Sequence, residues 1–159
     1  MTEVIDVQEA AALVQDMHQF HYRAWDRMDN MERLARRLKD KKDSDKAGPL
    51  KEIDEVRTFF RDGVGPHFQM EEAKIYPLVK TLLPPRKRIA IAFMIKEHRA
   101  IWRHVMQLRD LLQAAREGGA GAQVEQAEPV GDVALQIVRL VRRHITKENM
   151  IYQTLEGIL

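Results

Sequence analysis

Two stretches of the chain, HFQME from His67 to Glu71 and HITKE from His144 to Glu148, place an imidazole four residues before a carboxylate. On a helix that spacing stacks the two side chains on one face, with roughly 5–6 Å between their Cβ atoms, so both donors can reach one centre or two adjacent ones. His21 and His98 extend the set to four imidazoles and two carboxylates. Nitrogen and oxygen donors without sulfur suit iron, manganese, zinc or copper, and argue against calcium and magnesium, which prefer all-oxygen shells. The chain contains no cysteine, which removes disulfides, iron–sulfur clusters, thiolate zinc sites and thiol catalysis.

The six residues are in register. His21 and His98, His67 and His144, and Glu71 and Glu148 are each separated by 77 positions. The same offset carries Trp25 onto Trp102, Met28 onto Val105, Phe60 onto Ile137 and Leu78 onto Leu155. The two halves of the chain therefore place the same polar side chains at the same height, consistent with a pseudo-twofold axis. A single histidine or glutamate on an amphipathic helix is usually solvated or a partner in an ordinary core hydrogen bond. Six inward-facing groups at matching levels are different, because buried histidines and ionised glutamates cost several kcal/mol unless paired, and a shared cation satisfies them together. Two cations use the donors more fully than one, since carboxylates can bridge. With two octahedral ions, both glutamates bridging and one further bridging oxo or hydroxo group, two positions stay free for a small ligand.

Other residues have open readings. His18 lies one turn before His21 and is a fifth ligand, a supporting group or a flank; the offset assigns the primary role to His21, because His18 maps onto Ile95. His104 falls well round the helix from His98 and reads as surface or flank. Trp25 and Trp102 each follow a histidine of the set by four and read as packing lids. Tyr152, four after Glu148, is placed to face the site with its phenol. Glu72 stands beside Glu71 and competes with it for the ligand role, although the offset favours Glu71.

Four elements must hold these residues. Gly and Pro cluster at Gly48-Pro49, Gly63 to Pro66, Pro84-Pro85 and Gly118 to Gly121, with Pro129 close behind, and no period-two β-branched runs lie between them. This predicts an all-α protein with helical segments from about Val7 to Lys42, Pro49 to Leu83, Pro85 to Glu117 and Val130 to Ile158. A break or kink is expected at Gly63 to Pro66, directly before His67. The stripe Val14, Met17, His21, Ala24, Met28, Met31, Ala35, Leu38 advances by threes and fours, and Ile91, Met94, His98, Ile101, Val105, Leu108, Leu112, Ala115 repeats it. The other two segments give Phe60, Val64, His67, Glu71, Ile75, Leu78, Leu82 and Ile137, Leu140 or Val141, His144, Glu148, Tyr152, Leu155. Four amphipathic helices with short connections predict an antiparallel bundle.

The 159 residues are one domain's worth of sequence, so residues 1–159 are expected to form a single domain. A formal charge of +2 gives no large one-signed field, and no nucleic-acid partner is expected. The N-terminus MTEVIDVQEA lacks a basic start and an apolar run, and no stretch reaches the roughly 18 apolar residues of a membrane span. The expectation is a cytoplasmic protein with no membrane partner; the oligomeric state stays open.

One His on the first helix, HFQMEEAKIYP on the second, EHRAIW on the third and HITKEN on the fourth together resemble the signature of the hemerythrin-like family, the HHE cation-binding domain, over nearly the whole chain. The resemblance implies an up-down-up-down four-helix bundle around a non-haem di-iron centre: two iron ions bridged by two carboxylates and an oxo or hydroxo group. By motif position it implies iron ligation by His67, Glu71, His98, His144 and Glu148, with His21 as the first-helix ligand. Two departures bear on function. Oxygen-carrying hemerythrins have a second histidine one turn after the third-helix ligand, where this chain has Trp102, and only His18 is placed to supply the missing nitrogen. The di-iron proteins that repair iron–sulfur clusters add a cysteine-bearing segment that this sequence lacks. Ferritin-type bundles use ExxH pairs, and no glutamate stands three residues before any of the six histidines.

The expected function is accordingly binding of a small gaseous or peroxide ligand (dioxygen, nitric oxide or hydrogen peroxide) at open metal positions, for sensing, scavenging or delivery. The alternatives are a di-iron oxidoreductase that activates dioxygen or peroxide, and an iron-handling protein.

Overall fold

Asp6 caps the first helix by accepting from the Gln8 amide, and the helix then runs without interruption to a basic last turn of Arg36, Arg37 and Lys39, which complements the negative end of its dipole. In the computed structural model, which describes residues 6–159, this is α1 (Val7–Lys39); it is followed by α2 (residues 47–82), α3 (Pro85–Glu117) and α4 (Gly119–Glu156). No strand occurs among the described residues, so the chain is all-helical as its periodicity predicts. No helix among them is long and apolar enough to cross a membrane.

Every residue of the predicted α1 and α3 stripes is buried. α4 packs along both α1 and α3, and α2 packs against α1, α3 and α4. The apolar interior falls into two blocks. One runs from Phe20 and Ala24 through Met28, Ile53, Ile101 and Ile137, and the other gathers Val14, Met17, Ile75, Val79, Ile91 and Leu155. Between them lie the six polar residues that are buried among the described residues: His21, His67, Glu71, His98, His144 and Glu148.

At Gly63 to Pro66, where a break is expected, the helix continues by widening. Residues Phe60–Val64 form a π turn in which the Gly65 amide bonds to the Phe60 carbonyl, and Pro66 follows at once. The same device recurs at Glu71–Ile75, where the Tyr76 amide bonds to the Glu71 carbonyl directly before Pro77. Proline has no N–H and its ring collides with the carbonyl one turn back; a wider turn just before it relieves that collision without ending the helix.

The second π turn also shifts the phase. It absorbs one residue, so beyond it the offset between halves becomes 76: Tyr76 corresponds to Tyr152 and Val79 to Leu155. Val79 and Leu83 are buried, whereas Leu78 is half-buried and Leu82 is 40% exposed. The expected pairing of Leu78 with Leu155 and the stripe positions Leu78 and Leu82 are therefore displaced by one.

α4 also begins earlier than proline placement implies. Gly118 turns the chain at φ −90° and Gly119 takes φ +72°, a left-handed conformation that suits glycine, and the helix then runs through Pro129. Pro129 and Glu125, whose carbonyl would have accepted the missing amide hydrogen, are both on the exposed face, so water can satisfy that carbonyl. In the α4 stripe it is Val141 that is buried, with Leu140 half-buried.

Candidate metal centre

α1 brings in His21, α2 His67 and Glu71, α3 His98, and α4 His144 and Glu148, all buried, with both glutamates fully so. Helical stacking sets the two internal pairs: His67 Nε2 lies 2.8 Å from Glu71 Oε1 and His144 Nε2 lies 3.1 Å from Glu148 Oε1. All six residues predicted from the sequence thus converge, in two overlapping groups that could each hold a metal ion. One is His21, His67, Glu71 and Glu148; the other is Glu71, His98, His144 and Glu148.

Each carboxylate divides its oxygens between the groups. Glu71 Oε1 faces His67, while its Oε2 is 3.1 Å from His98 Nε2. Glu148 Oε2 is 3.1 Å from His21 Nε2, while its Oε1 faces His144. Two imidazoles therefore stand on either side of a pair of carboxylates that each present one oxygen to both sides.

The outer edges of the rings fix which nitrogen points inward. His98 Nδ1 is 2.8 Å from Glu72 Oε1, His144 Nδ1 is 2.8 Å from Glu97 Oε2, and His21 Nδ1 is 2.8 Å from Asn149 Oδ1. A carboxylate can only accept, so Nδ1 of His98 and of His144 donates, and in the neutral ring Nε2 carries a lone pair. These two Nε2 atoms are 3.1 Å apart. Two lone pairs at that distance repel unless a proton or a metal ion lies against them. His67 is held differently, stacked on Phe20 with ring centroids 3.9 Å apart. Phe68 stacks likewise on His98 at 3.8 Å.

The donor set fits a metal by this test. His21 Nε2, Glu71 Oε2 and Glu148 Oε2 are buried without a hydrogen-bond partner, a costly condition that a cation removes. The electrostatics agree, because the layer draws positive charge into the core. Burial lowers the pKa of His21, yet the facing carboxylates of Glu148 and Glu71 raise it overall to about 9. His98 rises to about 9 and His144 to about 10, again against burial and through the same carboxylates. Burial and the charge of Glu148 push Glu71 up, but His21, His67 and His98 hold it down to about 2. Glu148 is likewise held well below the carboxylate range, against its burial, mainly by His144.

Two tyrosines complete the layer. Tyr152, which its spacing from Glu148 predicts to face the site, does so, and its phenol donates to Glu71 Oε1 at 2.6 Å. Tyr76 donates to Glu148 Oε1, with its oxygen 3.1 Å from His98 Nε2. Burial first, then the negative charge of the glutamates, pushes both phenols well above their ordinary pKa, so they remain neutral donors.

His18 faces away from the layer: its Nε2 is 2.6 Å from Glu156 Oε1, and it belongs to neither group. His104 Nδ1 bonds to the Ala100 carbonyl at 2.8 Å, outside the cluster. Trp25 and Trp102 are each 37% exposed at the bundle surface, with the Arg142 guanidinium lying over the Trp25 ring. Glu72 supports His98 from outside the layer and does not replace Glu71. Sequence reasoning missed Tyr76, Glu97 and Asn149. A gapless offset hides the first, although Pro77 signals the altered turn; Asn149 was available as the counterpart of Glu72, 77 positions on.

The family model described as Hemerythrin HHE cation binding domain matches residues 12–155. No curated protein and no solved structure matches the chain.

Proposed function

The chain belongs to the hemerythrin HHE cation-binding domain family, and from that premise we propose that it holds two iron ions side by side and binds a small diatomic or peroxide ligand beside them, for sensing, scavenging or delivery. One observation carries this reading: each of Glu71 and Glu148 presents one oxygen to the His21/His67 pair and the other to the His98/His144 pair. His21, His67, His98 and His144 would supply the nitrogens, and the two glutamates would bridge. An iron pair held there would supply electrons and open coordination positions for a small ligand.

The surrounding residues set what can enter. A cavity of about 20 Å³ is lined by His21, His67 and His144 together with Ala24, Val64 and Ile101. It is the size of one small molecule and apolar apart from the imidazoles, which favours a diatomic over an organic substrate. The up-down-up-down arrangement belongs to the same reading. It is supported by short connections and by pairs between α1 and α4 that run in opposite order, His18 with Glu156 and Lys39 with Asp132.

A second reading, a di-iron oxidoreductase acting on dioxygen or peroxide, is favoured by Tyr76 and Tyr152, two buried phenols that hold protons against the carboxylates. Reconstitution with ferrous iron, followed by exposure to oxygen and then deoxygenation, separates the two. A spectrum that returns to the ferrous form supports ligand binding, whereas steady consumption of a reductant supports the enzyme. Metal analysis of protein purified without added metal tests iron itself; two equivalents of zinc or manganese would overturn that identity.

A further inference from the structure

The two halves of the centre are related by the 77-residue offset, but their supporting residues are not. His98 gives its Nδ1 hydrogen to Glu72, and its counterpart His21 gives its own to Asn149, the residue 77 positions after Glu72. His144 gives its Nδ1 hydrogen to Glu97, and its counterpart His67 stacks on Phe20, the residue 77 positions before Glu97. The pseudosymmetry is broken twice, and in the same sense. Both imidazoles of the His98/His144 pair are backed by carboxylates, and both of the His21/His67 pair by neutral groups.

A carboxylate accepting from Nδ1–H pulls that proton outward, makes Nε2 a stronger donor and adds negative charge behind the ligand. Glu97 is itself fixed from behind, since the Lys147 ammonium engages its other oxygen. An amide oxygen polarises the ring more weakly and adds no negative charge, and a phenyl ring does neither. Resting on the two-cation reading above, we propose that the two metal positions are unequal: the one formed by His98 and His144 with the shared glutamates binds first and tightly, and the one formed by His21 and His67 fills second and releases first. Glu72, Glu97 and Asn149 are the positioning residues that set the order. This also assigns the exchangeable position to the side reached from solvent, since a surface pocket of about 290 Å³ is lined by His21 and Asn149 together with Tyr22 and Trp25.

The test is a titration of the chelator-stripped full chain with Co²⁺, followed by absorption and calorimetry against a competing chelator. The expected result is two equivalents in two steps, the first at least about ten-fold tighter. Glu72→Gln and Glu97→Gln each weaken the first step about 10–100-fold, and Asn149→Asp tightens the second about ten-fold. His98→Ala removes the tight step and His21→Ala leaves it, which locates the steps independently of the near-isosteric variants. Two equivalents of a single affinity, or glutamine variants that act on the second step, overturn the inequality while leaving the paired centre intact. Fewer than two equivalents in the unmodified chain overturns the paired centre, and the inequality with it.

Discussion

Tyr152 on α4 donates its phenolic hydrogen to Oε1 of Glu71 on α2 at 2.6 Å, both side chains being completely buried. Its counterpart Tyr76 makes the reciprocal bond to Glu148, so each of the two buried glutamates is held by a tyrosine from the opposite half of the chain.

Removing that donor exposes what the bond contributes. Tyr152→Phe leaves a fully buried carboxylate oxygen with one partner fewer, and the metal-free protein is expected to lose about 1–3 kcal/mol in denaturant unfolding. Its metal stoichiometry should be unchanged, because the phenol is a donor to the ligand and not a ligand. A variant that lost metal instead would place the phenol in the coordination sphere.

Glutamate removal acts on the centre directly. Glu71→Ala and Glu148→Ala should each abolish most metal binding while circular dichroism stays helical, since the flanking apolar blocks are untouched. Full metal retention in both variants contradicts bridging.

The histidines outside the layer provide the control. His18 is engaged by Glu156 and His104 by the Ala100 carbonyl, so His18→Ala and His104→Ala should bind metal as the unmodified chain does. Loss of one equivalent in His18→Ala would restore it as a fifth ligand.

Metal-free and metal-loaded protein should respond differently to pH. His21, His98 and His144 have folded pKa values raised from 6.5 to about 9, 9 and 10, so the stability they contribute is fully present below about pH 6.5 and is lost as pH rises through 9–10. Glu71 is depressed from 4.5 to about 2; its contribution is present above about pH 4.5 and is lost as pH falls toward 2. Thermal melts in chelator should therefore show declining stability from pH 6.5 to 10. The increment added by metal should rise over the same interval, because Nε2 must be unprotonated to bind. A chelator-treated melting temperature that climbed through this range would contradict the proton-for-metal exchange.

Four helical segments and six convergent polar residues could be read from the sequence because helical periodicity is a local property. Residues four apart share a face whatever surrounds them, and an apolar stripe broken by His21 or His98 announces a buried polar group before any partner is known. The π turns escaped that reading. A proline such as Pro66 or Pro77 can end a helix or widen it, and the choice depends on whether the segment beyond still has a core to pack against, as Val79 and Leu83 do.

What the linear order determined by itself was the donor inventory, its height in the helices and its repetition at 77 residues. The tertiary structure alone decided which oxygen of Glu71 and of Glu148 faces which pair of histidines, and that carboxylates stand behind His98 and His144 whereas Asn149 and Phe20 stand behind His21 and His67. The physical reason is that such contacts join different helices. Their geometry follows from how the helices rotate against one another to fill the core, which no spacing along a single helix encodes.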